Sequence, residues 1–143
     1  MTQPNPYAAP KANVDDDRAD PAIDSLSVSD AWKRKFKAIQ KAGGPGLPHL
    51  KTLSKEDRKA VPMFNILGFL FGPFYYVAKG MWKKGITLFV LGFAVIFVLI
   101  LVLEALGLTK LTTALNVAMG ALYAVLADRD YYKKMVLRQN GWW

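Results

Sequence analysis

The stretch AVPMFNILGFLFGPFYYVAKGMWKKG, Ala60 to Gly85, decides how the chain is read. Its first nineteen residues, to Ala78, carry no charge, a length that can cross a bilayer as a helix. Pro62, Gly68, Gly72 and Pro73 interrupt that run, and Lys79, Lys83 and Lys84 follow it. It either spans a membrane or enters one and comes back. The two readings put everything downstream on opposite sides.

Downstream, Ile86 to Leu103 is eighteen uncharged residues, about 27 Å as a helix against a hydrocarbon thickness of about 30 Å. A short connection, Glu104 to Lys110, leads to a second expected span, Leu111 to Ala127, rich in small residues. Ala114 with Ala118, and Gly120 with Ala124, have the spacing that lets helix backbones approach closely in lipid. An antiparallel hairpin of these two helices is expected. Beyond Ala127 the sequence DRDYYKKMVLRQNGWW turns amphipathic and ends in Trp142 and Trp143, residues suited to a membrane interface.

Basic residues discriminate between the two readings of the opening stretch. Residues 29–60 hold nine Lys and Arg, KGMWKK three, the 104–110 loop only Lys110, and the tail four. With a cytosolic N-terminus, a spanning stretch leaves seven of these outside and ten inside. A returning stretch leaves sixteen inside and Lys110 alone outside, which the positive-inside rule prefers. Backbone chemistry points the same way. Pro73 lacks an amide proton and disfavours helical geometry at Gly72, so two half-helices are expected, with Gly72-Pro73 at the apex. Backbone groups freed at depth must be satisfied by protein, and Asn65 could donate to them. A broken but fully crossing third span is the alternative.

Composition supports a membrane location. Of 143 residues, 52% are apolar, and most of these, including every long apolar block, lie from Val61 onward. The absence of cysteine excludes disulfides, thiolate metal sites and a Cys nucleophile. A net charge of +8 without any nucleic-acid motif is read as contact with anionic headgroups. The first residues are polar, acidic and proline-rich, unlike a signal peptide, so an internal segment is expected to direct insertion. Residues 1–28 have the composition of a disordered acidic tail, in which Asp15, Asp16 and Asp17 are solvated rather than metal-binding.

Ser29-Asp30 can cap a helix over AWKRKFKAIQKA, stopped by Gly43-Gly44. Trp32, Phe36 and Ile39 form one stripe, with Lys33, Arg34 and Lys37 around it. Such a helix lies on an anionic membrane surface, or packs its stripe on its own neighbours. Ser54 with Asp57 begins a second short basic helix, and His49, the single histidine, reads as a loop residue.

The Gly-Pro core carries a family likeness. Phe64-Asn65, Phe69, Phe71-Gly72-Pro73-Phe74-Tyr75, Lys79, Met81 and Trp82, with Asn116 and Tyr123 later, resemble the pattern of a bacterial inner-membrane family known as domain of unknown function 2628. Tyr75 stands where that pattern commonly has Trp, and Gly80 separates Lys79 from Met81. The likeness covers roughly residues 30–138. It implies an inner-membrane location and no assigned activity.

No nucleophile, tuned acid–base pair or metal-ligand spacing emerges, and Asp128-Arg129-Asp130 reads as a salt bridge fixing a helix end. The expectation is therefore an all-α membrane protein without catalysis or cofactor. Its parts are a basic helical region over 29–60, a re-entrant or interfacial element over 61–84, a transmembrane hairpin over 85–127 and an amphipathic tail over 128–143. The function expected is a membrane-anchored adaptor, with an oligomeric channel-like component or a toxin-immunity or stress protein as alternatives. Candidate interaction residues are Asn65, Gly68, Gly72, Pro73, Lys79, Trp82, Lys83, Lys84, Asn116 and Gly120. Trp32, Lys33, Arg34, Phe36, Lys37, Trp142 and Trp143 are candidates for the lipid surface. Expected partners are anionic headgroups, a protein, or a second copy of the chain.

Overall fold

The computed structural model describes residues 21–142, the side chains of Pro21, Thr113 and Asn116 excepted. Among the described residues there are seven α-helices, one 3-10 turn and no strand. Most of the expected acidic tail, and Trp143, lie outside them.

The basic region is a small head of three helices, α1 (Pro21–Asp24), α2 (Asp30–Lys41) and α3 (Lys55–Ala60). Ser29 occupies the N-cap position of α2, and Gly43 and Gly44, at φ +89° and +95°, turn the chain away from its end. Only glycine reaches such angles without strain. Ser54 caps α3 as expected: its Oγ accepts from the Asp57 amide at 3.1 Å and donates to the Asp57 carboxylate at 2.8 Å. Ion pairs Lys37–Asp24 at 2.8 Å and Lys41–Asp57 at 3.0 Å tie α1 and α3 to α2.

The apolar stripe of α2 faces inward. Phe36 and Ile39 are fully buried with Ile23, Leu47, Val61 and Tyr132, each large side chain contributing about 1.5–3 kcal/mol by leaving water. Trp32 is half-buried, its ring meeting that of Tyr131 edge-on at 4.6 Å. Phe36 as a lipid-surface residue is thereby corrected, because it is buried in protein, whereas Trp32 keeps part of its ring open. The tail boundary moves as well, because buried Ile23 anchors a segment expected to be loose.

Helices α4 (Ile66–Phe71) and α5 (Pro73–Ala78) form the Gly-Pro element. The Asn65 side chain caps α4 by accepting from the Gly68 amide at 2.8 Å. Gly72, at φ +47° and ψ −120°, ends α4, and Pro73 starts α5 at its first position. There a missing amide proton costs nothing. Helix α4 lies along α7 (Thr112–Met135), with the Asn65 amide donating to the Ala124 carbonyl at 2.9 Å. Further along, the Phe69 carbonyl lies 3.0 Å from where a Gly120 side chain would begin. Helix α5 then returns against α6 (Trp82–Ala105), bringing Lys79 beside Tyr131. Both ends of the element thus lie beside residues 128–134 of α7, and Gly72 faces the Tyr123 ring. From Asp128 to Gly120 a helix rises about 12 Å. The element enters the helical bundle and turns back.

The α6–α7 pair is antiparallel: Tyr123 donates to the Gly85 carbonyl at 3.0 Å, and Met119 packs where a Gly92 side chain would stand. Of the two, only α6 is long and apolar enough to cross a membrane. Away from the face that Leu88, Gly92 and Ile96 turn to α7, its apolar side chains are exposed, Phe89, Phe93, Leu101 and Val102 among them. The expected second span is the first two-thirds of α7, where Thr, Ala and Gly dilute the hydropathy and the helix runs on without a break into Asp128, Arg129 and Asp130. Helix α6 also starts four residues earlier than the expected span, so Lys83 and Lys84 belong to its first turn.

Candidate functional site

The side chains with chemistry gather around the last turns of α7. Residues two apart on a helix point about 200° away from one another, so Asp128 and Asp130 face opposite sides of α7. Each is buried, 2% and 6% exposed. A buried carboxylate requires a cation and hydrogen bonds.

Asp128 faces the head and the start of α4. Lys35 Nζ lies 2.9 Å from its Oδ2, and Asn65 Nδ2 donates to its Oδ1. The same Asn65 amide also donates to the Tyr75 hydroxyl at 3.1 Å. Asn65 thereby joins three elements, capping α4, holding α5 and bonding α7. Asp130 faces α5 and α6. It accepts from the Tyr76 hydroxyl at 3.0 Å, from Lys84 at 3.3 Å and from Lys133 at 3.4 Å. Lys84 is itself buried.

Glycines make the close approach. A side chain at Gly68 would begin 3.1 Å from both the Ala127 methyl and the Tyr123 carbonyl. One at Gly85 would overlap Tyr76 Cβ at 2.8 Å. Gly120 serves the same purpose against Phe69, so its small side packs α4 of its own chain.

Lys79 sits at the rim. Its ammonium stands 4.8 Å from the Trp32 and Tyr131 ring centres and 6.0 Å from that of Tyr75, an arrangement that aromatic quadrupoles favour. Burial pushes the Lys79 amine below its ordinary value, and the nearby Lys35 and Lys134 charges add to that against the opposing pull of Asp128. Burial likewise raises the Tyr131 phenol. At the head surface, the Lys41 ammonium and the Ser54 hydroxyl hold the Asp57 carboxyl below the usual carboxylate range.

Asn65, Gly68, Gly72, Pro73, Lys79, Lys84 and Gly120 therefore come together. Trp82 is exposed and meets Trp142 edge-on at 5.6 Å, while the Lys83 ammonium lies 5.9 Å from the Trp82 ring centre. Asn140 donates to the Gly80 carbonyl at 3.2 Å, folding the tail back. The Asn116 side chain and Trp143 lie outside the described residues. Lys33 lies 3.9 Å from the Asp30 carboxylate, Lys37 bonds Asp24, and Arg34 is exposed. Reading the sequence missed Lys35, Tyr76 and the separate roles of Asp128 and Asp130. The available signal was two acids beside an apolar run, matched by a Tyr pair and a Lys pair, Lys83-Lys84, beside another.

This arrangement defines an all-helical protein with one helix able to cross a membrane and a buried polar junction at one end. The family described as "Protein of unknown function (DUF2628)" matches residues 24–136, and the chain belongs to it. Among curated proteins it is similar to the uncharacterized protein YigF of Salmonella typhimurium, 28% identical over 127 residues, covering 84% of this chain and 94% of that one. YigF of Escherichia coli (strain K12) is 29% identical over 124 residues, covering 81% and 91%. No solved structure matches.

Proposed function

We propose that the chain is a non-catalytic adaptor of the bacterial cytoplasmic membrane, with both termini cytoplasmic, that presents its basic head to lipid headgroups and to a partner. One observation carries this reading. Apolar side chains are exposed along α6 except on the face it turns to α7, and on the outer faces of α4 and α5, where Phe74 is 76% exposed, whereas the buried ion pairs are confined to the end bearing the head. In water such a surface is unfavourable by about 25 cal/mol per Å2; in lipid it is matched. In this reading residues 86–103 and 111–127 cross the bilayer and the Gly-Pro element dips into the cytoplasmic leaflet.

Single cysteines in this cysteine-free chain test it. With Lys55→Cys, Ala105→Cys and Asn140→Cys, an impermeant maleimide added to intact spheroplasts should label position 105 alone. Labelling of position 55 or 140 from outside refutes the orientation. Equal labelling of all three, or recovery of the chain outside the membrane fraction, refutes the membrane reading. For the adaptor role, a protein crosslinked to the head should be lost on Lys51→Glu with Lys55→Glu, both exposed.

A further inference from the structure

A hollow of about 400 Å3 opens where the start of α2 meets the Gly-Pro element. Trp32 and Lys35 line it from α2, Phe64 and Ile66 from the start of α4, and Tyr75 and Lys79 from the end of α5. Its two cations are not equivalent. Lys35 already neutralises Asp128. Among the described residues no carboxylate lies within ion-pairing distance of Lys79, whose ammonium is held by rings alone. The lining holds these two lysines and no carboxylate, and Lys134 donates to the Lys79 carbonyl beside it, so the hollow is short of negative charge. Its other half is apolar and open: Phe64 and Ile66 are 51% and 66% exposed.

We propose that this hollow binds the phosphate of an anionic phospholipid, Lys79 and Lys35 taking the phosphate while Phe64 and Ile66 receive the first methylenes of the acyl chains. A charged donor favours phosphate oxygens, and basic clusters beside apolar surface suit anionic headgroups. The assignment rests on the membrane reading above and gives it a specific lipid contact. Lowering of the Lys79 amine by burial is consistent with a cation whose counter-ion arrives with the ligand.

The test uses the full chain in an uncharged detergent, titrated calorimetrically with dioctanoyl phosphatidylglycerol, dioctanoyl phosphatidylcholine and inorganic phosphate. Phosphatidylglycerol should bind about tenfold more tightly than phosphatidylcholine. Lys79→Gln should abolish that preference and Lys79→Arg should retain it. Equal binding of the two lipids, or an unchanged preference in Lys79→Gln, overturns the proposal. Inorganic phosphate binding as tightly as phosphatidylglycerol overturns it in favour of a free-phosphate site. Ile66→Ser, at an exposed position, serves if Lys79→Gln melts early: it should weaken lipid binding with the fold intact, and unchanged affinity overturns the proposal. Because titration in detergent does not depend on topology, its failure is distinct from failure of the labelling experiment.

Discussion

Asp130 and Lys84 are both buried and 3.3 Å apart, which makes the cost of removing either one different from the worth of the pair. Lys84→Met leaves a carboxylate without its main cation and should destabilise by about 3–5 kcal/mol. Asp130→Asn does the same to the ammonium. The double variant should be closer to the parent than either single one, because the charge it leaves without a partner, Lys133, is not buried. Thermal melting of all four proteins in one detergent checks this, and strictly additive losses would contradict it. At the half-buried Asp57 the effect is one of pH. Its carboxyl is held below the ordinary value of 3.8, so the folded state favours the ionised form. That contribution is fully present above 3.8 and is lost as pH falls through the lower folded value. Asp57→Asn should therefore melt below the parent at neutral pH and converge with it in strong acid.

At the scale of elements, the break between α4 and α5 separates the roles of glycine and proline. Gly72 holds a backbone conformation that other residues rarely adopt, whereas the nearest atom to an added side chain is Tyr123 at an ordinary 3.4 Å. The cost of Gly72→Ala is therefore backbone strain, about 1–3 kcal/mol. Pro73→Ala keeps the first helical position and should change stability by less than about 1 kcal/mol. Equal losses from the two substitutions, measured by chemical denaturation, would show that the proline makes the turn. The sequence announced this element locally, as it did the capped start of α3 and the glycine stop of α2, because each signal acts within a few residues. The fate of the α2 stripe was not legible. Trp32, Phe36 and Ile39 at helical spacing look the same whether they meet lipid or protein, and their partners include Tyr131 and Tyr132, about a hundred positions away. Pairing of Lys35 with Asp128 is hidden for the same reason: neither residue carries a local mark of the other.

For the molecule as a whole, the head and the apolar helices are joined by a few interactions that differ in kind. Phe36 and Ile39 bury against Tyr132, and Lys35 reaches Asp128. Phe36→Ala should cost about 3–5 kcal/mol locally, freeing the head while leaving the α5–α6–α7 packing in place. Trypsin should then cut at Lys37 or Lys41 many times faster and leave a resistant fragment ending near Met135. Loss of that fragment as well would mean that the head and the helices fold as one unit.

The opposed directions of Asp128 and Asp130 have a mechanical consequence. A helix gripped on one side can roll about its long axis toward its holder, trading one contact for another. Helix α7 is gripped on both. Any roll that shortens the Lys35 contact lengthens the Lys84 and Tyr76 contacts, and the reverse. Its azimuth is thus set from two sides, like a key whose bits engage opposing wards, and a change in the head cannot rotate α7 without first releasing a buried charge.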